Sequence, residues 1–259
     1  MKKAFFFLLT VSALSISINC YANKSVFGYQ HDYFTQNRVH TDTLDFNYYI
    51  GNSLMVGVGV DLFNKSQDVF DNPSLHSTRL KTTYSYSITP EWNITPAMEF
   101  MFYAGTNPNS ENIPSKSDWT GEIGDTGTSG VKYKPSIMLT YKPVNTLGIS
   151  AKYEYNLRKL ARYYRNTTKY GGSDLRTHIV GIDLNYQPNK YLTFNYEIRY
   201  LDANYIVYNN KKQNYDQKLK VMYRINRDWQ PYISIKDTAA KTDTSMREEV
   251  VGAGFLYYF

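Results

Sequence analysis

Basic side chains recur on one phase of several alternating stretches of the chain. Arg79 and Lys81 do so in "STRLKTTY", Lys132 and Lys134 in "VKYKPSIML", Lys152 and Arg158 in "AKYEYNLR". Lys218, Lys220 and Arg224 share a phase in "QKLKVMYRI", and Arg199 and Lys236 hold it in "YEIRYL" and "SIKDT". Ammonium and guanidinium groups on one wall attract anions, and arginine grips carboxylates through paired donors. The same phase carries Asp45, Asp61, Glu99, Glu154, Asp183, Glu197 and Asp216. These carboxylates are fewer than the bases, so pairing across the wall is expected to leave a positive surplus. Loop residues Arg162, Arg165, Lys169, Lys211 and Lys212 extend it towards a mouth.

Other chemistry finds less support. The four histidines are His31, His40, His76 and His178. A Ser–His hydrolase needs both groups on one face within hydrogen-bond reach. His76 and Ser77 are adjacent, so strand alternation sends them to opposite faces, and His31–Asp32 has the same defect. There is no metal-ligand spacing. No catalytic residue, cofactor, metal or nucleic-acid partner is expected.

These residues need strands to position them. In "LTFNYEIRYL", Leu192, Phe194, Tyr196, Ile198 and Tyr200 share a face against Thr193, Asn195, Glu197 and Arg199. "LGISAKYEYNLR" and "QKLKVMYRI" alternate alike, as half-buried strands do. The chain holds 26 tyrosines among its 259 residues, a side chain suited to membrane interfaces. Its start, "MKKAFFFLLTVSALSISINCYA", reads as a secretory signal over residues 1–22, cleaved after Ala22. The remainder, 23–259, then has no cysteine and carries 27 basic against 23 acidic residues, a net charge of +4. No later stretch is apolar enough for a membrane helix. An exported chain of alternating strands can still span a membrane as a closed barrel, which pairs every backbone group.

Five short turns repeat an aromatic, a tight Gly/Pro/Asn/Asp turn and a new apolar face, at 49–54, 86–92, 141–147, 186–191 and 223–229. Five such turns, with both termini on the same side, predict an all-β, closed antiparallel transmembrane barrel of about 12 strands, both termini periplasmic. Polar segments between them, roughly 34–39, 64–75, 104–131, 159–174, 202–214 and 237–246, read as outer loops. The 104–131 segment is either a flexible cap or a lid folded into the lumen. Pro96, Pro135 and Pro231 fall inside predicted strands, where proline removes a ladder donor; bulges near the inner rim are expected to absorb them. About 12 strands gives a narrow lumen, suited to a slim, extended anion.

The series "WNITPAM", "YKPSIMLTYKP", "LGISAKYEYNLRKLAR", "LTFNYEIRYLDANY", "WQPYISI" and terminal "GAGFLYYF" resembles the oligogalacturonate-specific porin family, the KdgM/NanC-like acidic-sugar outer-membrane channels. The resemblance covers most of the mature chain and is clearest from about Trp92 onward. It implies a twelve-stranded monomeric channel in the outer membrane of a Gram-negative bacterium, with facing tracks of Arg and Lys. It places Lys152 and Arg158 at basic pore-wall positions and prolines where this chain has them. Glu154 departs, because a basic residue is expected there, and 104–131 is longer than the family pattern. The resemblance also implies that Phe255, Tyr257 and Phe259 form the signal read by the outer-membrane assembly machinery.

The expected function is therefore passive diffusion of acidic oligosaccharides, such as oligogalacturonate or sialic-acid-type sugars. The basic residues named above would line the pore, with outer-membrane lipid around the barrel. A surface adhesion barrel, acting through its long loops with a plugged lumen, is the alternative.

Overall fold

The computed structural model describes residues 22–64, 74–103, 130–160, 163–165, 168–170, 174–241 and 243–259. The proposed signal segment up to residue 21 and the stretches 65–73 and 104–129 lie outside the described residues. Fifteen strands follow in order: β1 Ala22–Phe34, β2 Val39–Ile50, β3 Leu54–Asn64, β4 Ser74–Tyr84, β5 Tyr86–Ser87, β6 Trp92–Tyr103, β7 Gly130–Val144, β8 Leu147–Leu160, β9 Tyr163–Arg165, β10 Thr168–Tyr170, β11 Asp174–Tyr186, β12 Leu192–Ala203, β13 Gln213–Tyr223, β14 Trp229–Ala239 and β15 Arg247–Tyr258. Setting aside two-residue β5 and the separate β9–β10 hairpin leaves twelve long strands.

These twelve close on themselves. Each pairs antiparallel with its sequence neighbours, and β1 pairs with β15 from Val26↔Tyr258 to Phe34↔Val250. β4 pairs directly with β6, and β5 continues that edge at Tyr86↔Ile94. The start of β1 and the end of β15 meet at the short-turn end of the barrel, where the Phe259 N–H donates to the Ser25 carbonyl (2.9 Å). The 159–174 segment, read from sequence as a loop, instead carries the β9–β10 hairpin.

Burial is inverted relative to a soluble protein. Val180, Ile182, Ile198, Ile233, Ile235 and Val251 are exposed, whereas Ser77, Asn156, Asn214, Asp216, Thr238 and Glu248 are buried. Polar residues therefore face the interior and apolar ones the surroundings, the arrangement of a transmembrane barrel. At the loop end the interior turns apolar, because Phe34, Val39 and Val250 pack together there with Phe63.

Three of the five turns share one device. The Asn189 side-chain oxygen accepts from the N–H groups of Tyr191 and Leu192, and that of Asn226 from Asp228 and Trp229. Thr89 Oγ1 does the same for Glu91 and Trp92. Each side chain replaces the backbone partners that a tight turn leaves open. The first turn instead uses Gly51 at φ 62°, where glycine carries no penalty.

Bulges do not absorb the prolines. The β6–β7 register runs unbroken through Pro96↔Ile137 and Met98↔Pro135, and β14–β15 through Pro231↔Phe255. On the other flank of each proline the pairing lapses. The β4–β6 ladder stops at Thr83↔Ala97, β7–β8 skips from Tyr133↔Leu157 to Ser136↔Glu154, and β13–β14 ends at Met222↔Tyr232. Every strand in a barrel has two flanks, so a proline needs only one of them opened locally.

Candidate functional site: the inner wall

Register identifies the inward residues on each strand. Arg79, Lys81, Lys132, Lys134, Lys152, Arg158, Arg199, Lys218, Lys220 and Lys236 fall on the inward phase, and Arg224 follows it just past the end of β13; Arg162 lies outside the described residues. Depth and partners separate them.

One arc of wall, β2 through β8, couples cation to carboxylate. Arg79 Nη2 lies 3.0 Å from Asp45 Oδ1 and 3.2 Å from Asp61 Oδ1. Asp61 is held in turn by the hydroxyls of Thr43 and Ser77. Lys134 Nζ lies 2.8 Å from Glu99 and 4.0 Å from Glu154, and Lys152 Nζ lies 2.7 Å from Glu154. Glu154, the departure from the expected basic track, is thus the carboxylate between two lysines, and it is only 7% exposed. Lys132 and Arg158 are buried at the loop end, where Arg158 stacks 3.9 Å over the Tyr103 ring. Lys81 projects opposite Glu99 in register; among the described residues no carboxylate lies within 4.0 Å of its ammonium.

Glycines make this arc possible. Gly57 and Gly59 of β3 face inward, and a Cβ on either would meet the Asn47 or Asp45 side chain, with Arg79 nearby. Without side chains of their own, they let neighbouring polar groups lie flat against the wall. A recess of about 100 Å³ remains, lined by Asp45, Asn47, Arg79, Lys81 and Glu99 with the β3 backbone.

The arc from β12 through β15 to β1 is built differently. Near the loop end Asp216 gathers Arg199 (3.0 Å) and Lys236 (3.8 Å) and accepts the Thr238 hydroxyl, while Arg199 also approaches Glu197 (3.5 Å). Below it, Lys218 and Lys220 follow on β13. Among the described residues neither has a carboxylate within 4.0 Å. Lys220 Nζ instead lies 4.2 Å over the Tyr232 ring. Lys24 lies 4.2 Å over the Tyr258 ring, and Arg224 6.0 Å from it. A ring attracts a cation through its quadrupole without cancelling its charge. The tyrosines are fixed: Tyr232 donates towards Tyr29 O and Gln30 Oε1, and Tyr258 to Gln230.

Gly252 and Gly254 of β15 serve this arc as the β3 glycines serve the other. A Cβ at Gly252 would strike Asp32 and Ser234, and one at Gly254 would strike the Tyr29 carbonyl and the Tyr232 ring. Asp32 and Lys24 are inward residues that the sequence reading passed over, although β1 alternates as clearly as any strand. Glu248 is a third. It is 1% exposed and accepts from the Gln36 and Asn37 N–H groups and the Asn37 amide, so it caps the β1–β2 turn rather than lining a pore.

His31 faces Asp42 and His40, and His178 faces the Tyr153 hydroxyl. Ser77 Oγ donates to Asp61 (2.6 Å), and His76 occupies a register irregularity with its ring edge-on to Tyr103.

An all-antiparallel closed barrel, apolar outside and charged within, has the architecture of a transmembrane β-barrel. The oligogalacturonate-specific porin (KdgM) family matches residues 120–259, and the chain belongs to that family. Solved structures agree on the fold. The NanC porin superposes with a TM-score of 0.66 at 15% identity, covering 89% of this chain and 98% of its own. The KdgM porin in complex with disordered oligogalacturonate gives 0.60 at 13%, covering 90% and 99%. An outer-membrane channel from Pseudomonas putida F1 gives 0.62 at 8%, covering 94% and 97%. No curated protein matches by sequence.

Proposed function

We propose that this protein is an anion-preferring passive diffusion channel of the Gram-negative outer membrane, taking up acidic oligosaccharides of the oligogalacturonate or sialic-acid type. The observation that carries this reading is the column Lys218–Lys220–Arg224 with Lys24: among the described residues none of the four has a carboxylate within 4.0 Å, and Lys24, Lys220 and Arg224 lie beside tyrosine rings. A carboxylate entering the lumen meets ammonium groups that Asp32 and Glu197 oppose only from beyond ion-pair distance, beside rings that offer apolar contact to a sugar face. Lys81, Lys134, Lys152, Arg79, Arg199 and Lys236 add a partly compensated field around it. Lys132 and Arg158 act at the loop end. The relative crystallised with oligogalacturonate supports this substrate class.

The short-turn end, with both termini, is assigned to the periplasm. Residues 1–22 act as a signal removed after Ala22. Phe255, Tyr257 and Phe259 supply the assembly signal, and the barrel functions as a monomer. Liposome swelling tests the transport reading: oligogalacturonate should enter faster than a neutral oligosaccharide of equal length. Equal rates would reject the preference, and no swelling with either would favour the adhesion alternative.

A further inference from the structure

The outer wall holds a polar cluster that transport does not use. His31 on β1 and His40 on β2 face outward, in phase with Phe27, Tyr29, Leu44 and Phe46. His31 lies opposite Asp42, and His40 opposite Tyr33. Asp42 Oδ1 is 2.9 Å from His31 Nδ1 and accepts the Tyr29 hydroxyl at 2.7 Å. On the far side of the same ring, His31 Nε2 is 3.1 Å from His40 Nδ1. Tyr33 covers His40 at a ring distance of 4.8 Å. In-register neighbours are Leu62 and Asn64 on β3 and Val251 and Ala253 on β15. Asp42 is 8% exposed and His40 7%. On a wall of Val, Ile, Leu and Tyr, so many desolvated polar groups in one place mark a site.

We propose that His31 and His40 bind a divalent transition-metal ion through Nε2 and Nδ1, respectively, with Asp42 as the positioning residue. Asp42 Oδ1 accepts the Tyr29 hydroxyl and faces His31 Nδ1, which places the His31 proton on Nδ1 and makes Nε2 an acceptor able to ligate. Without metal, His40 Nδ1–H donates to that lone pair. With metal, the His40 proton moves to Nε2 and Nδ1 becomes the second ligand, with no net change in charge on either ring. Metal–nitrogen bonds of about 2.0–2.1 Å at a tetrahedral angle place two nitrogens about 3.3 Å apart, close to the separation already present. Among the described residues no third His, Cys, Asp or Glu joins them as a ligand, so water completes the shell. Two imidazoles favour Cu²⁺, Ni²⁺ or Zn²⁺ over Mg²⁺ and Ca²⁺. The ion would clip β1 to β2 at the loop end, one strand from the β1–β15 seam.

The test uses the untagged full barrel in detergent. Titration with Cu²⁺ should show one equivalent bound, with paramagnetic-resonance splitting from two nitrogens; Zn²⁺ should compete. His31→Ala and His40→Ala should each remove the two-nitrogen signature. Asp42→Asn should keep it but weaken binding about 10- to 100-fold. His178→Ala, whose ring pairs with the Tyr153 hydroxyl elsewhere on the wall, should change nothing. If the histidine variants fail to fold, Zn²⁺ should still protect His31 and His40 of the unaltered protein from diethyl pyrocarbonate, read by mass spectrometry. Absence of stoichiometric binding, binding undiminished in His40→Ala, or no protection would overturn the proposal.

Discussion

The two arcs of the inner wall use the same backbone device for different electrostatic ends. In each, a glycine pair on one strand clears space for side chains from the strands beside it. On β3 the space receives Asp45 and Asn47, and Arg79 is neutralised at 3.0 Å. On β15 it receives Asp32 and Tyr232, and Lys220 rests on the tyrosine ring. Charge neutralised by a neighbour stiffens a wall, whereas charge resting on a ring still acts on a passing ion. Counting bases against acids misses this distinction, because position decides which charges remain effective.

The largest effect is expected from filling the β15 space. Gly254→Ala sets a Cβ against the Tyr29 carbonyl, which belongs to the closing strand and cannot swing aside. It should destabilise the barrel by about 1–3 kcal/mol, seen as a lowered unfolding temperature in detergent. Gly57→Ala meets the ends of two side chains, Asn47 and, at 3.4 Å, Met55 Sδ, both of which can shift, and should cost less. Equal costs would break the contrast between a seam glycine and a wall glycine.

Next comes charge reversal. Lys218→Glu with Lys220→Glu should slow oligogalacturonate entry into liposomes about tenfold while the barrel stays folded. Lys134→Glu, placed between Glu99 and Glu154, should act mainly on stability. The comparison fails if both changes act alike on uptake. Glu154→Gln is a gentler probe. It removes the charge of the carboxylate 2.7 Å from Lys152, making the first arc resemble the second, and should raise anion-over-cation permeability about twofold. Smallest is Tyr232→Phe, which keeps the ring under Lys220 and loses only hydroxyl bonds of 3.1 and 3.3 Å. About 1 kcal/mol of stability should go, with selectivity unchanged.

Much of the barrel was legible because alternation and turn chemistry are local. "LTFNYEIRYL" announces its two faces, and Asn189 and Asn226 announce their turns. The phase of each basic residue could be read the same way. Partnership could not, since it depends on register between strands: Lys134 meets Glu99, 35 residues away, and Arg79 meets Asp45, 34 away. Alternation says which face a residue is on, but not what lies opposite. The same limit hid His31 from Asp42 and His40, although "QHDYF" and "VHTD" each show their histidine. Pro96, Pro135 and Pro231 misled for a related reason, because a strand has two ladders and its sequence does not say which one gives way.

The central claim is that the β13 lysines, and not the paired wall, set selectivity. The most direct test is the reversal potential of single channels in a planar bilayer under a potassium chloride gradient, for the unaltered barrel and for two double variants. The unaltered channel should be anion-selective. Lys218→Gln with Lys220→Gln should move its reversal potential well towards zero, and Lys134→Gln with Lys152→Gln should move it less. A cation-selective channel, or a larger shift from the second pair than from the first, would contradict the account.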